Sequence, residues 1–333
     1  MTPSRTAAEA VFSALRDAGR VILATHTHPD GDAIGSLVAM RLVLERIGIS
    51  SRVFIAAQDL PLPEELATYD LGEVVHEDTV DVRGRTVVFL DCGNADRTPL
   101  GEWLPEIPVL VNIDHHHDNT RFGTINLIDP TASSTAEMVW ELAQMLGVPI
   151  TTDIAEPLYV GLLTDTGRFS YENTTPRAHA MAADLIAAGV DLTGVRRRLY
   201  EDVRPAKLHL LRAALESMAI HGDGLLVSAR VTEEDFRGAQ ATEAHAEGII
   251  DVLRVVRGVR IAALARELDV QPGTFKVSLR AADPTVDVSA IARASGGGGH
   301  PQAAGFTTQL GDADLADFIL GQLREQDAGG AAA

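Results

Sequence analysis

The chain has one cysteine, Cys92, in 333 residues, which excludes an intramolecular disulfide framework and any thiolate-built zinc cluster. It has two lysines, Lys207 and Lys276, so nearly all of its positive charge is arginine. Basic residues number 28 against 47 acidic ones, a net charge of −19. Proteins that coat long duplex nucleic acid neutralise phosphates with a basic surface, so that class is excluded, and any nucleic-acid ligand is expected to be short and gripped locally. No uncharged apolar run approaches the ~20 residues needed to cross a bilayer. Arg5, Glu9, Arg16 and Asp17 occupy the region where a signal peptide would be apolar. The expectation is a soluble cytoplasmic protein with no membrane partner. Hydrophobic residues make up 46% of the chain, enough for the cores of two domains.

Apolar strands alternate with amphipathic helices through the first part of the chain. VILAT (21–25), 52–56, 73–76, TVVFLD (86–91) and PVLVNID (108–114) read as strands. Residues 6–18, 34–47, 134–146, 153–163 and 175–188 have helical spacing, three of them followed by Gly19, Gly48 and Gly189. Such alternation predicts an α/β fold with a doubly wound, mainly parallel sheet over 1–192. A charged helical connector interrupted by Pro205 is expected over 193–221. A second, smaller α/β domain follows over 222–327, with half-buried strands at 224–231, 259–267 and 274–280 and a helix near 244–254. The tail, 328–333, is expected to be disordered.

Chemistry-bearing residues collect where strands or helices end. HTHPDGDAIGS places His26, Asp30 and Asp32 directly after an apolar run, and an imidazole with two carboxylates suits a divalent metal. Gly31 is expected to let the backbone turn tightly between the two aspartates. Asp91 ends a strand in LDCGNADR, DHHHDN spans 114–119, and Asp165 lies in GLLTDTGRF. Taken singly, each reads more simply as turn or helix-cap chemistry; together they point to ligands. Cys92 reads as a buried small hydrophobe.

These four stretches, in this order, strongly resemble the four motifs of the DHH phosphoesterase superfamily, and SLR (278–280) with GGGGHPQAAGF (296–306) resembles the accompanying DHHA-type domain. The resemblance covers about residues 8–325 and is similar to stand-alone, NrnA-like members. It implies that His26 and Asp30 bind one metal ion, that Asp32, His115 and Asp165 bind another, and that Asp91 bridges them. Mixed imidazole and carboxylate ligation suits Mn2+, with Mg2+, Co2+ or Zn2+ as alternatives. His116 is the candidate to hydrogen-bond substrate phosphate and assist the leaving group, with ligand orientation as its simpler role. Asn119 fits the family pattern either as a substrate contact or as a loop cap. His28 and His117 match no family ligand position. For Arg97 and Arg168, ion pairing within an acidic domain is the simpler expectation, and phosphate contact the alternative.

In the second domain the resemblance makes Gly296 to Gly299 a nucleotide-binding loop, its Gly297, Gly298 and Gly299 amides open to substrate, with His300 beside them. Lys276, Ser278 and Arg280 alternate along one strand and so share a face. With Arg293 they complete the expected substrate-binding set. Between residues 251 and 300 basic side chains outnumber acidic ones seven to five in a strongly negative protein.

The family likeness implies hydrolysis of short oligoribonucleotides, including linear dinucleotides such as pApA, to 5'-mononucleotides, and dephosphorylation of pAp to AMP. Cyclic di-AMP is a further candidate substrate, and a homodimer is implied by resemblance alone. Two other readings compete. A family II inorganic pyrophosphatase shares the metal motifs but grips phosphate with a lysine-rich second domain, and here there are two lysines in all. A non-catalytic nucleotide-binding effector would tolerate an incomplete ligand set, and here all six positions are filled.

Overall fold

The computed structural model describes residues 5–268 and 271–330. The chain divides into two compact units, Met1–Glu201 and Asp202–Ala333.

The first unit is built on six strands, β1 (Val21–Ala24), β2 (Ser51–Phe54), β3 (Val74–Val75), β4 (Thr86–Leu90), β5 (Val109–Asp114) and β6 (Ile125–Ile128). They run in the order β3-β2-β1-β4-β5-β6, and every pairing is parallel. Alternate residues serve different cores. Val21 and Leu23 of β1, Val88 and Leu90 of β4, and Val111 and Ile113 of β5 pack under the helices. Ile22, Ala24, Val87 and Phe89 point the other way. That second face is covered by irregular chain and short 3-10 turns carrying Val82, Leu100 and Ile107, which is why the strands read as continuous apolar runs. The helices are α1 (Arg5–Arg16), α2 (Gly31–Arg46), α3 (Thr135–Met145), α4 (Thr152–Asp165), α5 (Pro176–Ala187) and the short α6 (Leu192–Arg196). Strand β6, only INLI, is too short to carry a period and escapes the sequence pattern.

The chain leaves β1 toward one sheet edge and later leaves β4 toward the other. In such sheets ligands gather outside the carboxyl ends of the strands at this switch point. His26 lies just beyond β1 and Asp91 just beyond β4, on neighbouring strands.

The second unit has six strands, β7 (Ala219–His221), β8 (Leu226–Val231), β9 (Ile261–Leu268), β10 (Gln271–Ala281), β11 (Gly298–His300) and β12 (Ala303–Thr308), ordered β11-β12-β10-β9-β8-β7. Only the β8–β9 pairing is parallel. Helices α7 (Pro205–Glu216), α8 (Glu233–Ala239) and α9 (Ile249–Arg254) cover Val227, Ala229, Ala262 and Leu264 on one face. Helices α10 (Val288–Ala294) and α11 (Asp312–Gly330) cover Ile261, Ala263, Val277 and Leu279 on the other. In β8 and β9 the alternation mostly sorts residues between two cores, whereas in β10 it is the expected half-buried pattern, with Val277 and Leu279 buried and Lys276, Ser278 and Arg280 partly or fully exposed.

The unit boundary falls inside 193–221, the stretch expected as a connector. Its residues 193–201 end the first unit, while Leu210 and Ala214 of α7 pack into the second. Pro205 starts α7 at a position where its missing N–H costs nothing, rather than interrupting a helix. The expected disordered tail is helical through Gly330, and 331–333 lie outside the described residues.

Candidate metal centre

Beyond β1, His26 is buried and its Nδ1 lies 2.8 Å from the Thr27 carbonyl oxygen, to which a proton there is donated. That bond turns Nε2 toward Asp91, whose Oδ2 is 3.5 Å away. Asp30 caps α2, with Oδ1 accepting the N–H groups of Asp32 and Ala33 at 3.0 Å each. Its other oxygen stays open to a metal ion, so a cap role and a ligand role are compatible. Gly31 corrects the sequence expectation. It opens α2 without a left-handed backbone, and a Cβ there would lie 2.5 Å from Thr164 Oγ1. Its missing side chain lets α2 approach the end of α4.

Asp32 points into the interior. Its Oδ2 accepts the Thr135 N–H at 2.6 Å and its Oδ1 the Ala136 N–H at 2.9 Å, the first free amides of α3 after the Ser134 cap. A helix N-terminus favours a carboxylate there. Gly161 of α4 leaves the space, since a Cβ at that position would sit 2.7 Å from both Asp32 Oδ1 and the Ala136 Cβ. Gly161→Ala is expected to cost about 1–3 kcal/mol of stability by overpacking and to displace Asp32. A thermal melt with a metal titration checks both effects, and an unchanged pair of curves would remove the packing argument.

Asp91 adopts a left-handed conformation, φ 60°, which Asp tolerates better than most residues. Its N–H donates to the Ile113 carbonyl at 3.1 Å, and its Oδ1 accepts the Thr135 hydroxyl at 3.1 Å. The two carboxylate oxygens face opposite sides. Oδ2 meets His26, whereas Oδ1 lies 3.5 Å from His115 Nε2. His115 Nε2 is also 3.5 Å from Asp165 Oδ2 and 4.0 Å from Asp32 Oδ2. Three overlapping donor groups result, His26/Asp30/Asp91, Asp32/His115/Asp165 and Asp91/His115/His116, each with donor atoms within 4.8 Å of one another, and the first two divide the six expected ligands between them. Gaps of 3.5 Å make at best weak hydrogen bonds and suit two ligands each ~2.1 Å from one shared ion.

The electrostatics fit a cation. Burial, then the charge of Asp91, pushes the Asp32 and Asp165 carboxyls well above the usual range. Burial would raise Asp91 too, but the His26 hydrogen bond and the charges of His115, His26 and His116 outweigh it and hold Asp91 low. For His26 the balance is similar, with burial lowering its pKa and the Asp91 hydrogen bond and charge raising it to a net increase. Among the described residues no lysine or arginine pairs with Asp32, Asp91 or Asp165, so divalent ions are the natural compensation for three clustered carboxylates. Cys92 is buried, with its thiol pushed up to about 12 by burial, as an inert hydrophobe should be.

His116 stands beside this cluster. Its Nδ1 lies 2.7 Å from Oδ1 of Asp114, which is fully buried at the end of β5, and 3.6 Å from Asp91 Oδ1. Burial pulls the His116 pKa down, but the Asp114 hydrogen bond and the Asp91 charge raise it to about 9. In the metal-free protein this favours the imidazolium at neutral pH, with Nε2–H as its second donor. Sequence reasoning passed over Asp114 as an orienting residue, although it ends its strand just as Asp91 does. Asn119 donates to Asp114 Oδ2 at 2.5 Å and to the Cys92 carbonyl at 3.3 Å, and accepts the Arg121 N–H at 2.6 Å. Its amide braces the loop. Asn173, which the motifs do not mark, donates to Asp165 Oδ2 at 3.3 Å and to the Ser133 carbonyl at 2.8 Å, tying one donor to the loop that holds another. Arg177 binds buried Glu137 and Asp129 beneath that loop. His28 and His117 are exposed and lie outside all three donor groups.

In the second unit, Lys276, Ser278 and Arg280 do share one face of β10. Each cation has an acidic neighbour, Glu243 at 3.5 Å from Lys276 Nζ and Asp251 at 3.9 Å from Arg280 Nε. Arg293 bonds the Ser289 hydroxyl at 2.9 Å and Asp287 at 3.5 Å on its own helix. The glycine run is not one loop, because Gly298–His300 forms edge strand β11. A Cβ at Gly297 would meet the Gly305 carbonyl oxygen at 2.2 Å, and one at Gly299 would meet Ala304 Cα at 2.5 Å, so these two serve packing. Gly298 alone of the three is open. The His300 side chain lies outside the described residues.

Residues 20–162 match the DHH family, N-terminal domain, and residues 223–325 match the DHHA1 domain. The chain is 34% identical over 92% of its length, and 90% of the relative's, to the bifunctional oligoribonuclease and PAP phosphatase NrnA of Thermus thermophilus. It is 31% identical over 91% of its length, and 93% of the relative's, to the NrnA of Bacillus subtilis. An exopolyphosphatase-related protein of Bacteroides fragilis has a crystal structure that superimposes with a TM-score of 0.85 at 21% identity, covering 97% of each chain, and so shares its fold. With both domains matched in order and NrnA proteins similar along nearly its whole length, the chain belongs to the DHH family.

Proposed function

We propose that this chain is a two-metal phosphoesterase that cuts short oligoribonucleotides such as pApA to 5'-mononucleotides and releases phosphate from pAp. One observation carries the reading: Asp91 presents one oxygen to each of two donor groups. In it, His26 and Asp30 hold one ion, Asp32, His115 and Asp165 hold the other, and Asp91 is shared. Two divalent cations there, Mn2+ foremost, would activate a water and offset charge on the phosphoryl oxygens. The chain's own groups do the rest. Buried Asp32 and half-buried Asp165 keep their donors fixed through backbone amides and Asn173. Asp114 orients His116 and favours its imidazolium, whose Nε2–H would bond a phosphoryl oxygen and protonate the departing ribose oxygen. Gly298, Ser278 and Arg280 form the open part of the second unit's candidate nucleotide surface, with Lys276, Arg293 and His300 at its margins. Activity on cyclic di-AMP and a cytoplasmic setting belong to the same proposal.

The test is a side-by-side rate comparison with Mn2+ on pApA, pAp, cyclic di-AMP, a 24-mer RNA and pyrophosphate. Turnover of pApA and pAp well above the 24-mer is expected. Fast pyrophosphate hydrolysis with inert dinucleotides would replace this reading by the pyrophosphatase one, and nucleotide binding without any turnover would favour the effector.

A further inference from the structure

The first unit pairs its arginines with care. Arg41, Arg46, Arg52, Arg83, Arg177 and Arg198 all reach carboxylates. Arg168 instead lies over the Tyr200 ring, 4.9 Å from its centroid. Among the described residues of this unit, Arg97 is the one arginine that is partly shielded from solvent and yet has neither an ion-pair nor a hydrogen-bond partner for its guanidinium. In a chain of net charge −19, an unpaired half-buried cation is not explained by a shortage of partners.

Its place is fixed by its backbone. Arg97 closes the turn Ala95–Arg97, whose Asn94 cap accepts the Asp96 N–H at 3.2 Å, and its own N–H donates to the Asn94 carbonyl at 3.1 Å. Its carbonyl oxygen accepts the Thr27 N–H at 2.7 Å, joining the loop after Asp91 to the loop that carries His26. The side chain stands near enough to the cluster that its charge partly opposes the upward shifts of the His26, His116 and Cys92 pKa values. The guanidinium is within electrostatic reach of the His26 and His116 imidazoles, yet among the described residues it pairs with no carboxylate.

We infer that Arg97 is a further catalytic residue, whose planar fork clamps two non-bridging oxygens of the substrate's phosphate opposite the metal donors. Only a guanidinium supplies two parallel N–H donors with this spacing, and it takes up charge that develops on the phosphoryl oxygens without a proton transfer. This rests on the phosphoesterase reading for its substrate, but its core claim is phosphate binding.

Three variants, Arg97→Ala, Arg97→Gln and Arg97→Lys, are measured in the Mn2+-loaded protein. For Arg97→Ala, kcat/KM on pApA is expected to fall about 10²–10³-fold, with melting temperature and Mn2+ stoichiometry unchanged. Arg97→Lys should regain only part of the loss, since it keeps the charge but not the fork. Millimolar guanidinium added to Arg97→Ala should restore activity, which a purely structural arginine would not allow. Calorimetric binding of inorganic phosphate gives a readout independent of turnover, and its affinity should drop at least tenfold in the alanine and glutamine variants. Phosphate affinity equal to wild type in Arg97→Gln, or a kcat/KM within threefold of wild type in Arg97→Ala, overturns the assignment. A wild type that binds phosphate through Arg97 but cuts no nucleotide would instead sink the substrate reading and leave the clamp standing.

Discussion

Asp91→Asn is expected to lower kcat on pApA and pAp by at least about 10³-fold, several kcal/mol of lost transition-state stabilisation. Asparagine is the informative substitute. It tolerates the left-handed backbone at φ 60° and can still accept the Thr135 hydroxyl, so the fold is kept while the charge and one of the two equivalent oxygens are lost. Alanine would mix strain with chemistry. Binding of both Mn2+ ions should weaken together, because a shared ligand serves each donor group. Stepwise loss of one ion, with the other held at its original affinity, would show that Asp91 belongs to a single site. Substantial activity in the variant would overturn the two-metal arrangement.

The second large effect is on stability. Asp32 and Asp165 are held above the ordinary carboxylate range by burial and by Asp91, so ionising them at neutral pH works against the folded state. Saturating Mn2+ should relieve this. At a thousandfold excess over its dissociation constant a ligand contributes about 4 kcal/mol, a rise of roughly ten degrees in melting temperature. EDTA should reverse it. The pH dependence of the metal-free protein has a definite sign. A carboxyl whose folded pKa is raised binds more protons folded than unfolded, so stability falls as pH rises above the unfolded value. His116, raised to about 9, acts in the same direction, and its contribution is complete below about 6.5 and lost by about 9. The metal-free melting temperature should therefore increase as pH falls from 9 toward 6.5. A flat or opposite profile would mean that the cluster is better solvated than its burial indicates.

Much of this site is legible in the sequence because each ligand sits at the end of an element that announces itself. The runs before His26, Asp91 and Asp114 are continuously apolar, since both faces of the parallel sheet are covered, and a charged residue closing such a run stands out. What the sequence hides are the reasons for the small residues. Gly31 looks like a turn and is a helix contact, and Gly161 looks like nothing until Asp32 is found where its side chain would be. The glycine run near residue 298 looks like one loop, yet Gly297 and Gly299 are packing positions and Gly298 begins an edge strand. Asn173 and Arg177 are also invisible beforehand, because their partners Ser133 and Glu137 are each 40 residues away and adjacent only once the helices have packed. The unpaired state of Arg97 is a negative fact, and a single sequence cannot record it.

The order β3-β2-β1-β4-β5-β6 has a consequence for how the protein is made. Its candidate ligands come from the ends of β1, β4 and β5 and of α2 and α4, so no short stretch of unfolded chain holds enough of them to capture an ion. A zinc finger folds around its metal because its ligands lie close in sequence. Here the non-local parallel pairing of β1 with β4 must form first, and such pairing is slow. A metal ion would then enter a finished socket, selecting the native state after folding rather than templating it.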